Sequence, residues 1–502
     1  MDFDEQSLTT VIIGRNGTGK SNLVEALINI FRDLDLGEPP AFKYSLDYNC
    51  REHEIHIDAD PLRLKKDQVF VSIDGEEISY RHFWQQSDRR YLPSHVFGYY
   101  SGISNRMELH FEKHQDLFYN DLIYGGNDRH LRPLFYSRLV HSHFVLLAFF
   151  AEQDQTMLQF LRKHLLIEGL DSVLFVMKKP PWKSQIGDPR FWYARGEVQK
   201  FLSKLYELAL APLRIKQRIN IDFRETKTIE HLYLYLQDVN QLKMLSSLYL
   251  NQQDFFTALE STYISELIRE VRVQVKVRNV HGSLTYRDLS EGEQQLLMVL
   301  GLLHFTKEDE ALFLLDEPDT HLNPAWSIQY LEFLGQVVGD HISSHIIMST
   351  HDPLVIAGLE RSQVQIMQRD DESGRIFAIT PDENPKGMGI AAILTSDLFG
   401  LRSTLDPATQ RDVDERRELA VKEELTAEEK LRLGDLNVEL EGLDFTITTR
   451  DSLYDKFMRA MIEREDPTMR QQIVLTPEQQ EEQRQLIRNI LSEIMAEEKE
   501  QG

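Results

Sequence analysis

The sequence predicts an α/β protein that carries an antiparallel β subdomain, a helical insertion and a helical C-terminal region. The first observation is a β-branched run at residues 8–13, which leads through a glycine-rich loop into the helical apolar spacing of residues 23–28. The second is a pair of stretches, residues 53–58 and 69–75, in which apolar and polar residues alternate with the period of a strand. The third is the helical periodicity that dominates residues 121–270 and returns near the C-terminus.

The glycine-rich loop is the chemical feature on which the other predictions depend. Residues 14–21 read G-x-x-x-x-G-K-S between the predicted strand and the predicted helix, which is the arrangement of a phosphate-binding loop. Glycines bring backbone N–H groups close to phosphate oxygens, and the helix N-terminus adds positive charge. We expect Lys20 to reach the β- and γ-phosphates as a catalytic group, and Ser21 to ligate Mg²⁺. The expected nucleotide-binding residues are Gly14, Asn16, Gly17, Thr18, Gly19, Lys20, Ser21 and Asn22.

Length predicts several structural units. In a chain of 502 residues we place an ATPase lobe with the phosphate loop at 1–120 and a mainly helical insertion at 121–270. A second ATPase lobe follows at 271–380, and a C-terminal helical interaction region at 381–502.

Composition restricts the class of protein. The formal net charge of −25 argues against general nucleic-acid binding, so contact with DNA or RNA would need a local basic patch. The single cysteine, Cys50, excludes an intramolecular disulfide and a cysteine-based zinc site. There is no apolar run of membrane-spanning length and the N-terminus is acidic, so we expect a cytoplasmic protein that does not contact a membrane.

Several local patterns predict individual elements. Residues 34–50, with two adjacent prolines, predict a loop, and residues 232–250 predict a helix of the insertion. Residues 271–277 alternate valine with polar residues and predict a strand with a basic outer face. Residues 178–183 mix lysines with Trp182; a solvated loop with a packed tryptophan is favoured over a nucleic-acid contact. We expect His130, His141 and His143 to be core or helix-face residues.

A second anion site is predicted where residues 289–295 read L-S-E-G-E-Q-Q before an apolar helix. Ser290 and the N–H groups of the helix start can bind an anion, and Gly292 permits close backbone approach. This loop resembles the LSGGQ-like signature of ABC, SMC and RecF-type ATPases, with Glu291 and Glu293 in place of Gly and Gln. The resemblance implies that Ser290, Glu291 and Gly292 act in trans on a nucleotide held by another subunit.

Two adjacent carboxylates end the apolar stretch at 311–318. A buried strand that ends in Asp316 and Glu317 has the Walker B arrangement. Two adjacent carboxylates repel each other unless a cation lies between them, so the pair favours a bound cation. We expect Asp316 to hold Mg²⁺ and Glu317 to orient or deprotonate the attacking water. The residues that follow correspond to a subunit-contacting D-loop, with Asn323 where many members of these families have Asp.

A last buried strand, at residues 345–349, delivers His351 to its end. An imidazole there can hydrogen-bond the γ-phosphate and so distinguish ATP from ADP. His351 corresponds to the switch histidine of the same superfamily and is a predicted catalytic residue. The resemblance also implies a glutamine loop, for which the turn from Gly98 to Gly102 is the best position.

Taken together, these motifs predict an ABC/SMC-like nucleotide-binding head that uses ATP and Mg²⁺ and forms an ATP-linked dimer. The stretch of about 270 residues between Ser21 and Ser290 has no sustained heptads, so the protein is a compact relative rather than a genuine SMC protein. The LLDEPDTHLNP stretch from Leu314, with residues 99–102 and 394–401, is similar to bacterial anti-phage ATPases, closest to the Septu and retron-associated PtuA family.

That resemblance implies a regulatory ATPase that controls a separate HNH-type nuclease, since the sequence has no nuclease metal constellation of its own. Two alternatives stay open. A RecF/SMC-like DNA-repair ATPase would need a sustained basic surface, and a nucleotide-sensing scaffold would hydrolyse little ATP.

The C-terminal region offers a place for a partner to dock. Residues 411–442 predict a charged amphipathic helix, and residues 477–500 predict another. Apolar stripes lie at 453–462 and 486–495, and they pack either on the ATPase core or in a groove of a nuclease partner or second copy.

Overall fold

The computed structural model describes the chain in several stretches. These are residues 3, 8–85, 90–124, 131–220, 226–278, 283–306, 310–338, 343–370, 372–422, 424–441, 443, 457, 460–461, 464 and 476–501. The chain divides into two compact units, one of residues 1–355 with 362–377 and the other of residues 356–361 with 378–502. The four boundaries predicted from the sequence stay predictions.

The described strands are, in chain order, β1 Thr9–Gly14, β2 Tyr44–Cys50, β3 His53–Ala59, β4 Val69–Ile73, β5 Glu76–Ile78, β6 Val96–Tyr100, β7 Leu134–Tyr136, β8 Ile167–Lys178, β9 Leu213–Asn220, β10 Thr226–Leu236, β11 Ile268–Val277, β12 Ser283–Thr285, β13 Leu312–Asp316, β14 His345–Ser349, β15 Val364–Arg369 and β16 Ile376–Ile379. The described helices are α1 Lys20–Leu36, α2 Tyr80–Trp84, α3 Glu112–Tyr124, α4 Val140–Glu152, α5 Gln155–His164, α6 Gly196–Leu208, α7 Val239–Ser246, α8 Gln252–Ile264, α9 Glu291–Thr306, α10 Pro324–Val338, α11 Pro353–Ile356, α12 Ile390–Thr395, α13 Pro407–Val421, α14 Ala427–Glu441 and α15 Pro477–Gln501.

A seven-stranded sheet positions the nucleotide motifs, with the order β16-β15-β1-β14-β13-β6-β7. The strands from β15 to β7 in this order run parallel to their neighbours. Ile12 and Asp316 both pair with Ser349, so β1, β14 and β13 end at the same edge. The loops that follow these three strands therefore meet at one edge, which is where α/β sheets bind ligands.

Helix α1 joins this sheet to a second one. Its apolar residues share a core with β3 and β4 on one side and with Leu314 of β13 on the other. The helix ends at Gly37, whose left-handed φ of 65° lets its N–H reach the Asp33 carbonyl. The predicted strand, loop and helix at the N-terminus are confirmed.

The second sheet is antiparallel, with the order β2-β3-β4-β5. It contains the two predicted alternating strands, and Asp74 and Gly75 turn the chain with φ values of 51° and 82°. The prediction of a loop over residues 34–50 is wrong, because α1 continues to Leu36 and Tyr44–Cys50 is strand β2. The antiparallel subdomain itself is confirmed.

A third sheet is built largely from strands of the predicted helical insertion, which also contains helices α4 to α8. Its order is β12-β11-β8-β10-β9, and its described neighbours pair antiparallel. The helix predicted over 232–250 is wrong in its first part, because β10 continues to Leu236 and α7 begins only after the Asp238 cap. Leu232, Leu234 and Leu236 are buried on one face, which is the alternation of a strand.

The helices of the insertion form a buried core. Helix α4 is buried along most of its length, and His141 and His143 lie inside as predicted; His130 falls outside the described residues. His141 Nε2 lies 2.8 Å from a carboxylate oxygen of Glu260, which also accepts from Arg132. Trp182 Nε1 donates to the Ser265 carbonyl at 2.9 Å, so the tryptophan is packed, as the favoured interpretation predicted.

The second unit is helical, as predicted. The single helix expected over 411–442 is instead two helices, because Val421 ends α13 and α14 starts at Ala427. Helix α15 agrees with the predicted terminal helix, and Ile490 of its apolar stripe is fully buried whereas Leu491 is 45% exposed. The stripe at 453–462 lies largely outside the described residues. In the described part of the chain, every helix is too short or too polar to cross a bilayer.

Candidate nucleotide-binding site

The phosphate loop follows β1 and opens α1. Gly14 has a φ of 146°, and a Cβ there would lie 2.4 Å from the Met367 carbonyl oxygen of β15, so only glycine fits. The Thr18 hydroxyl donates to the Arg15 carbonyl at 2.8 Å and tightens the turn. Asn16 and Gly17 are exposed at the tip of the loop. The loop is thus a tight turn with backbone available to an anion.

Lys20 lies inside this loop. Its Nζ donates to the carbonyl oxygens of Gly14 at 2.9 Å and Arg15 at 3.3 Å. Burial lowers the pKa of Lys20, and the carboxylates of Glu317 and Asp316 oppose that shift. The ammonium therefore lies between the phosphate loop and the acidic pair, as a lysine that binds phosphate near a metal requires.

Asp316 has one satisfied and one unsatisfied oxygen. The residue is fully buried at the end of β13, and its Oδ1 accepts a hydrogen bond from the Ser349 hydroxyl. Among the residues that the structure describes, its Oδ2 has no hydrogen-bond partner. A buried, unpaired carboxylate oxygen costs free energy, and a hydrated Mg²⁺ would remove that cost. Ser21, half-buried in the first turn of α1, offers the hydroxyl ligand expected for such an ion, so the residue types present fit Mg²⁺.

Glu317 is held in a strained backbone conformation. Its φ is 53°, a left-handed value that is uncommon for a residue with a side chain. The Glu317 N–H donates to the Ser349 carbonyl at 3.0 Å, which fixes the turn after β13. The conformation aims the carboxylate toward the loop after β14.

His351 faces Glu317. Its Nε2 lies 3.6 Å from Glu317 Oε1, which is longer than a hydrogen bond. Burial and the nearby Lys20 lower the pKa of His351, against the opposing effects of Glu317 and Asp316. The imidazole is therefore mainly neutral at pH 7 and keeps both a donor and an acceptor nitrogen. The structure thus brings Lys20, Asp316, Glu317 and His351 together.

Asp319 is a site residue that the motifs did not single out. Its Oδ2 accepts a hydrogen bond from Thr350, the residue before His351, and its Oδ1 has no partner among the described residues. Burial raises the pKa of Asp319 to about 6, although the Thr350 hydrogen bond opposes the shift. No sequence spacing connects residues 319 and 350, because they meet only through the sheet.

The loop after β6 also reaches the site. Ser101 N–H donates to the Asp316 carbonyl at 3.2 Å, so the predicted glutamine-loop position does lie next to the acidic pair. Further along this loop, Arg106 donates to Asn22 at 2.8 Å and to Glu25 on α1. Burial raises the pKa of Glu25, but hydrogen bonds from Arg106 and His110 outweigh burial and hold this pKa below its ordinary value. Asn22 is therefore occupied by Arg106, a contact that sequence reasoning missed.

The signature-like loop starts α9 next to the D-loop. A Cβ at Gly292 would lie 2.3 Å from the His321 carbonyl oxygen, which explains the glycine. Ser290 is exposed, and its hydroxyl and N–H both donate to the Glu293 carboxylate, at 2.9 and 2.7 Å. The Glu293 N–H returns a bond to the Ser290 hydroxyl at 3.3 Å, which completes a capping box. Glu291 is exposed, with its carboxylate 3.8 Å from His321 Nε2. The roles of these residues in trans stay predictions.

Comparison with known proteins agrees with this assignment. Residues 181–357 match the family described as "AAA domain, putative AbiEii toxin, Type IV TA system". That range contains the signature-like loop, the acidic pair and His351, whereas the phosphate loop precedes it.

A curated protein, Septu protein PtuA of Bacillus mycoides (strain KBAB4), is 28% identical over 191 residues, which cover 35% of this chain. The matched part is 26% of that protein, so the chain spans about a quarter of the relative's length. The SMC head domain from Thermotoga maritima aligns over 75% of this chain and 92% of its own, at 12% identity and a TM-score of 0.29. The Smc head domain bound to the C-terminal domain of ScpA, from Pyrococcus furiosus, aligns over 74% and 91%, also at 12% identity and a TM-score of 0.29. The resemblance to AAA-type and PtuA-type proteins drawn from the sequence is confirmed by the family and PtuA matches.

Proposed function

We propose that the protein binds and hydrolyses ATP with Mg²⁺. Lys20 and the N–H groups of the phosphate loop bind the phosphates, and Ser21 and Asp316 hold the metal ion. When bound, the metal ion would neutralise charge on the phosphates. Glu317 orients the attacking water and accepts its proton, and the neutral His351 hydrogen-bonds the γ-phosphate.

The observation that carries this proposal is the unsatisfied Oδ2 of Asp316, buried at the sheet edge where Lys20 and Glu317 also lie. A structural role for Asp316 would leave a buried carboxylate oxygen without compensation. A site for a divalent cation beside phosphates supplies that compensation and also accounts for Lys20.

A metal titration tests the proposal. The variant Asp316→Asn is expected to need much more Mg²⁺ for ATP hydrolysis than the wild type, because one ligand charge is removed. The exposed Glu77 on β5 provides a matched control, since Glu77→Gln removes a charge remote from the motifs. Equal Mg²⁺ dependence in all three proteins would contradict the assignment of Asp316.

We further propose that two copies form composite nucleotide sites. Ser290 is exposed and its described hydrogen bonds lie within its own turn, so its hydroxyl is available to a second subunit once Glu293 releases it. Two-fold symmetry would then give two equivalent sites, each with one phosphate loop and the partner's signature-like loop.

The proposed biological role is that of an ATPase subunit in an anti-phage defence system, which controls a separate HNH-type nuclease in the cytoplasm. The similarity to a Septu protein over 191 residues supports the defence role. Co-purification from a host that expresses the neighbouring genes tests the partner. Recovery of a nuclease with the protein supports this role, and recovery of replication or repair proteins alone favours the DNA-repair alternative.

A further inference from the structure

The five-stranded sheet has one buried face and one face that is accessible in part, since Val176 and His231 on the second face are buried whereas Tyr235 is exposed. Along β11, Val271, Val273 and Val275 are buried, whereas Arg272 and Lys276, at alternate positions of the strand, are exposed. Cross-strand pairing places Leu174 of β8 beside Arg272, and Tyr235 of β10 beside Leu174. We call the face that carries Arg272, Leu174 and Tyr235 the outer face.

Aromatic side chains line this outer face. Tyr233 pairs with Val176 on one side and with Leu213 of β9 on the other, so it lies one row from Tyr235 on the same face. Two residues on one face of a strand are about 7 Å apart. Tyr235 is 38% exposed and Leu213 is 55% exposed, so ring and aliphatic surface both reach solvent. Exposed, spaced aromatic rings on a sheet are the feature on which unpaired bases stack.

The charge of this sheet is opposite to that of the whole chain. Strand β11 carries three cations, Arg269, Arg272 and Lys276, and one acid, Glu270. The three cations of β9 lie on the opposite face, where Arg214 pairs with Leu232 and Lys216 with Glu230. The whole chain has 56 Lys and Arg against 81 Asp and Glu. The local excess of cations is therefore a property of this sheet rather than of the composition.

Nearby acids neutralise part of this charge. Glu270 is 17% exposed and pairs with Arg272 at 3.0 Å, and Glu168 pairs with Arg278 at 3.2 Å. On the opposite face, Glu230 pairs with Arg214. Arg269 and Lys276 are exposed and lie on either side of the row that holds Tyr235 and Arg272. Cations placed beside aromatic rings suit a single-stranded nucleic acid, in which charged phosphates alternate with bases.

We propose that the outer face of the five-stranded sheet binds single-stranded nucleic acid. Tyr233 and Tyr235 stack on bases, and Arg269, Arg272 and Lys276 contact the phosphates. A duplex hides its base faces in the stack, so this surface favours a single strand. The binding is independent of the nucleotide site and extends the proposed function from a nucleotide-controlled subunit to one that contacts nucleic acid.

Fluorescence anisotropy with the full chain tests the proposal, using a labelled oligothymidylate, an oligouridylate of the same length and a matched duplex. The double variant Arg272→Glu, Lys276→Glu is expected to weaken single-strand binding at least roughly tenfold and to flatten its salt dependence. The control Lys65→Glu, Lys66→Glu makes the same charge change on an exposed turn beside another sheet, and should change affinity by less than about twofold, since screening limits distant charges.

Substitution of Tyr235 distinguishes the contribution of base stacking to the affinity from the contribution of charge. Tyr235→Ser should weaken binding roughly 5- to 100-fold, whereas Tyr235→Phe keeps the ring and should bind like the wild type. Comparison of the two oligonucleotides shows whether DNA or RNA is preferred. The proposal is overturned if the wild type binds neither single strand, if it binds the duplex as tightly, or if the face variants and the Lys65 and Lys66 control behave alike. Thermal unfolding confirms that each variant is folded, and ATP hydrolysis reports separately on the proposed function.

Discussion

The Asp319 carboxylate accepts a hydrogen bond from the hydroxyl of Thr350, which comes one residue before His351. The Thr350 hydroxyl accepts in turn from the Asp352 N–H at 2.8 Å. This link joins the loop after β13 to the loop after β14 beside the facing pair Glu317 and His351. A buried carboxylate thus fixes the relative position of two predicted catalytic groups.

The raised pKa of Asp319 predicts a specific pH dependence of stability. Burial raises its pKa from 3.8 to about 6 in the folded protein, so the folded state holds the proton more tightly than the unfolded state. The contribution of protonated Asp319 is fully present below about pH 4 and is lost as pH rises through about 6. A difference of about two pKa units corresponds to about 3 kcal/mol. We expect Asp319→Asn, which cannot ionise, to unfold at higher urea than the wild type at pH 8, with a smaller difference near pH 4.

Urea unfolding across this pH range measures the effect. Glu77→Gln is the control, because Glu77 is exposed on β5. An Asp319→Asn curve parallel to the wild-type curve at every pH would show that Asp319 does not titrate in this window.

The contact at Gly292 predicts a sensitive packing position. A Cβ there would lie 2.3 Å from the His321 carbonyl oxygen, so Gly292→Ala must displace either the start of α9 or the D-loop. We expect destabilisation of about 1–3 kcal/mol together with reduced hydrolysis. Gly335 in α10 is the matched control, since a Cβ there meets nothing within 4 Å. Gly335→Ala should stabilise by up to about 1 kcal/mol, and similar unfolding of both variants would argue against the close contact.

Mixed dimers test the composite site. When Lys20→Ala and Ser290→Arg chains combine, one site receives both lesions and the other receives neither. Random mixing in equal amounts should then restore about a quarter of wild-type hydrolysis, because half of the dimers have one intact site of two. Mixing Lys20→Ala with a chain that carries both substitutions is the control and should restore nothing. Absence of recovery at every ratio would contradict sharing, unless both sites must hydrolyse together.

The exposed apolar surface of the terminal helix α15 is the candidate docking site for a partner. In α15, Ile490 is fully buried within the chain, whereas Leu491 is 45% exposed and therefore available. Leu491→Glu should keep ATP binding and lose co-purification of the nuclease. Ile490→Ala should instead lower the free energy of unfolding, by about 2–5 kcal/mol. Loss of nucleotide binding in Leu491→Glu would place this side chain in the structural core and exclude the docking role.

The sequence predicted the site where chemistry and local structure coincide. Four residues lie near the end of a strand or the start of a helix: Gly14, Lys20, Asp316 and His351. Their residue types indicate both the local backbone conformation and the chemistry of the expected ligand. Parallel pairing then brings these ends to one edge, which no local pattern encodes but which follows from the strand-loop-helix order.

The parts that could not be predicted depend on long-range contacts. The sequence predicts helix at strand β10 because leucine and tyrosine form a continuous apolar run at residues 232–236, and periodicity alone does not separate a buried strand from a helix in such a run. Pairing with β8 and β9 makes this segment a strand. Asp319 meets Thr350, and Arg106 meets Asn22, only through the folded sheet. Tyr44, Leu46 and Tyr48 of strand β2 alternate with polar residues, but the two preceding prolines favour a loop and outweigh that short alternation in a prediction from sequence.

The central claim is that the edge of the parallel sheet binds and hydrolyses ATP, and paired binding and turnover measurements on two variants test it most directly. Lys20→Ala removes the phosphate contact, and Glu317→Gln removes only the carboxylate that orients water. We expect Lys20→Ala to lose tight ATP binding, and Glu317→Gln to bind ATP like the wild type while phosphate release falls at least about a hundredfold. Equal ATP affinity in Lys20→Ala and the wild type, or undiminished turnover in Glu317→Gln, would contradict the account.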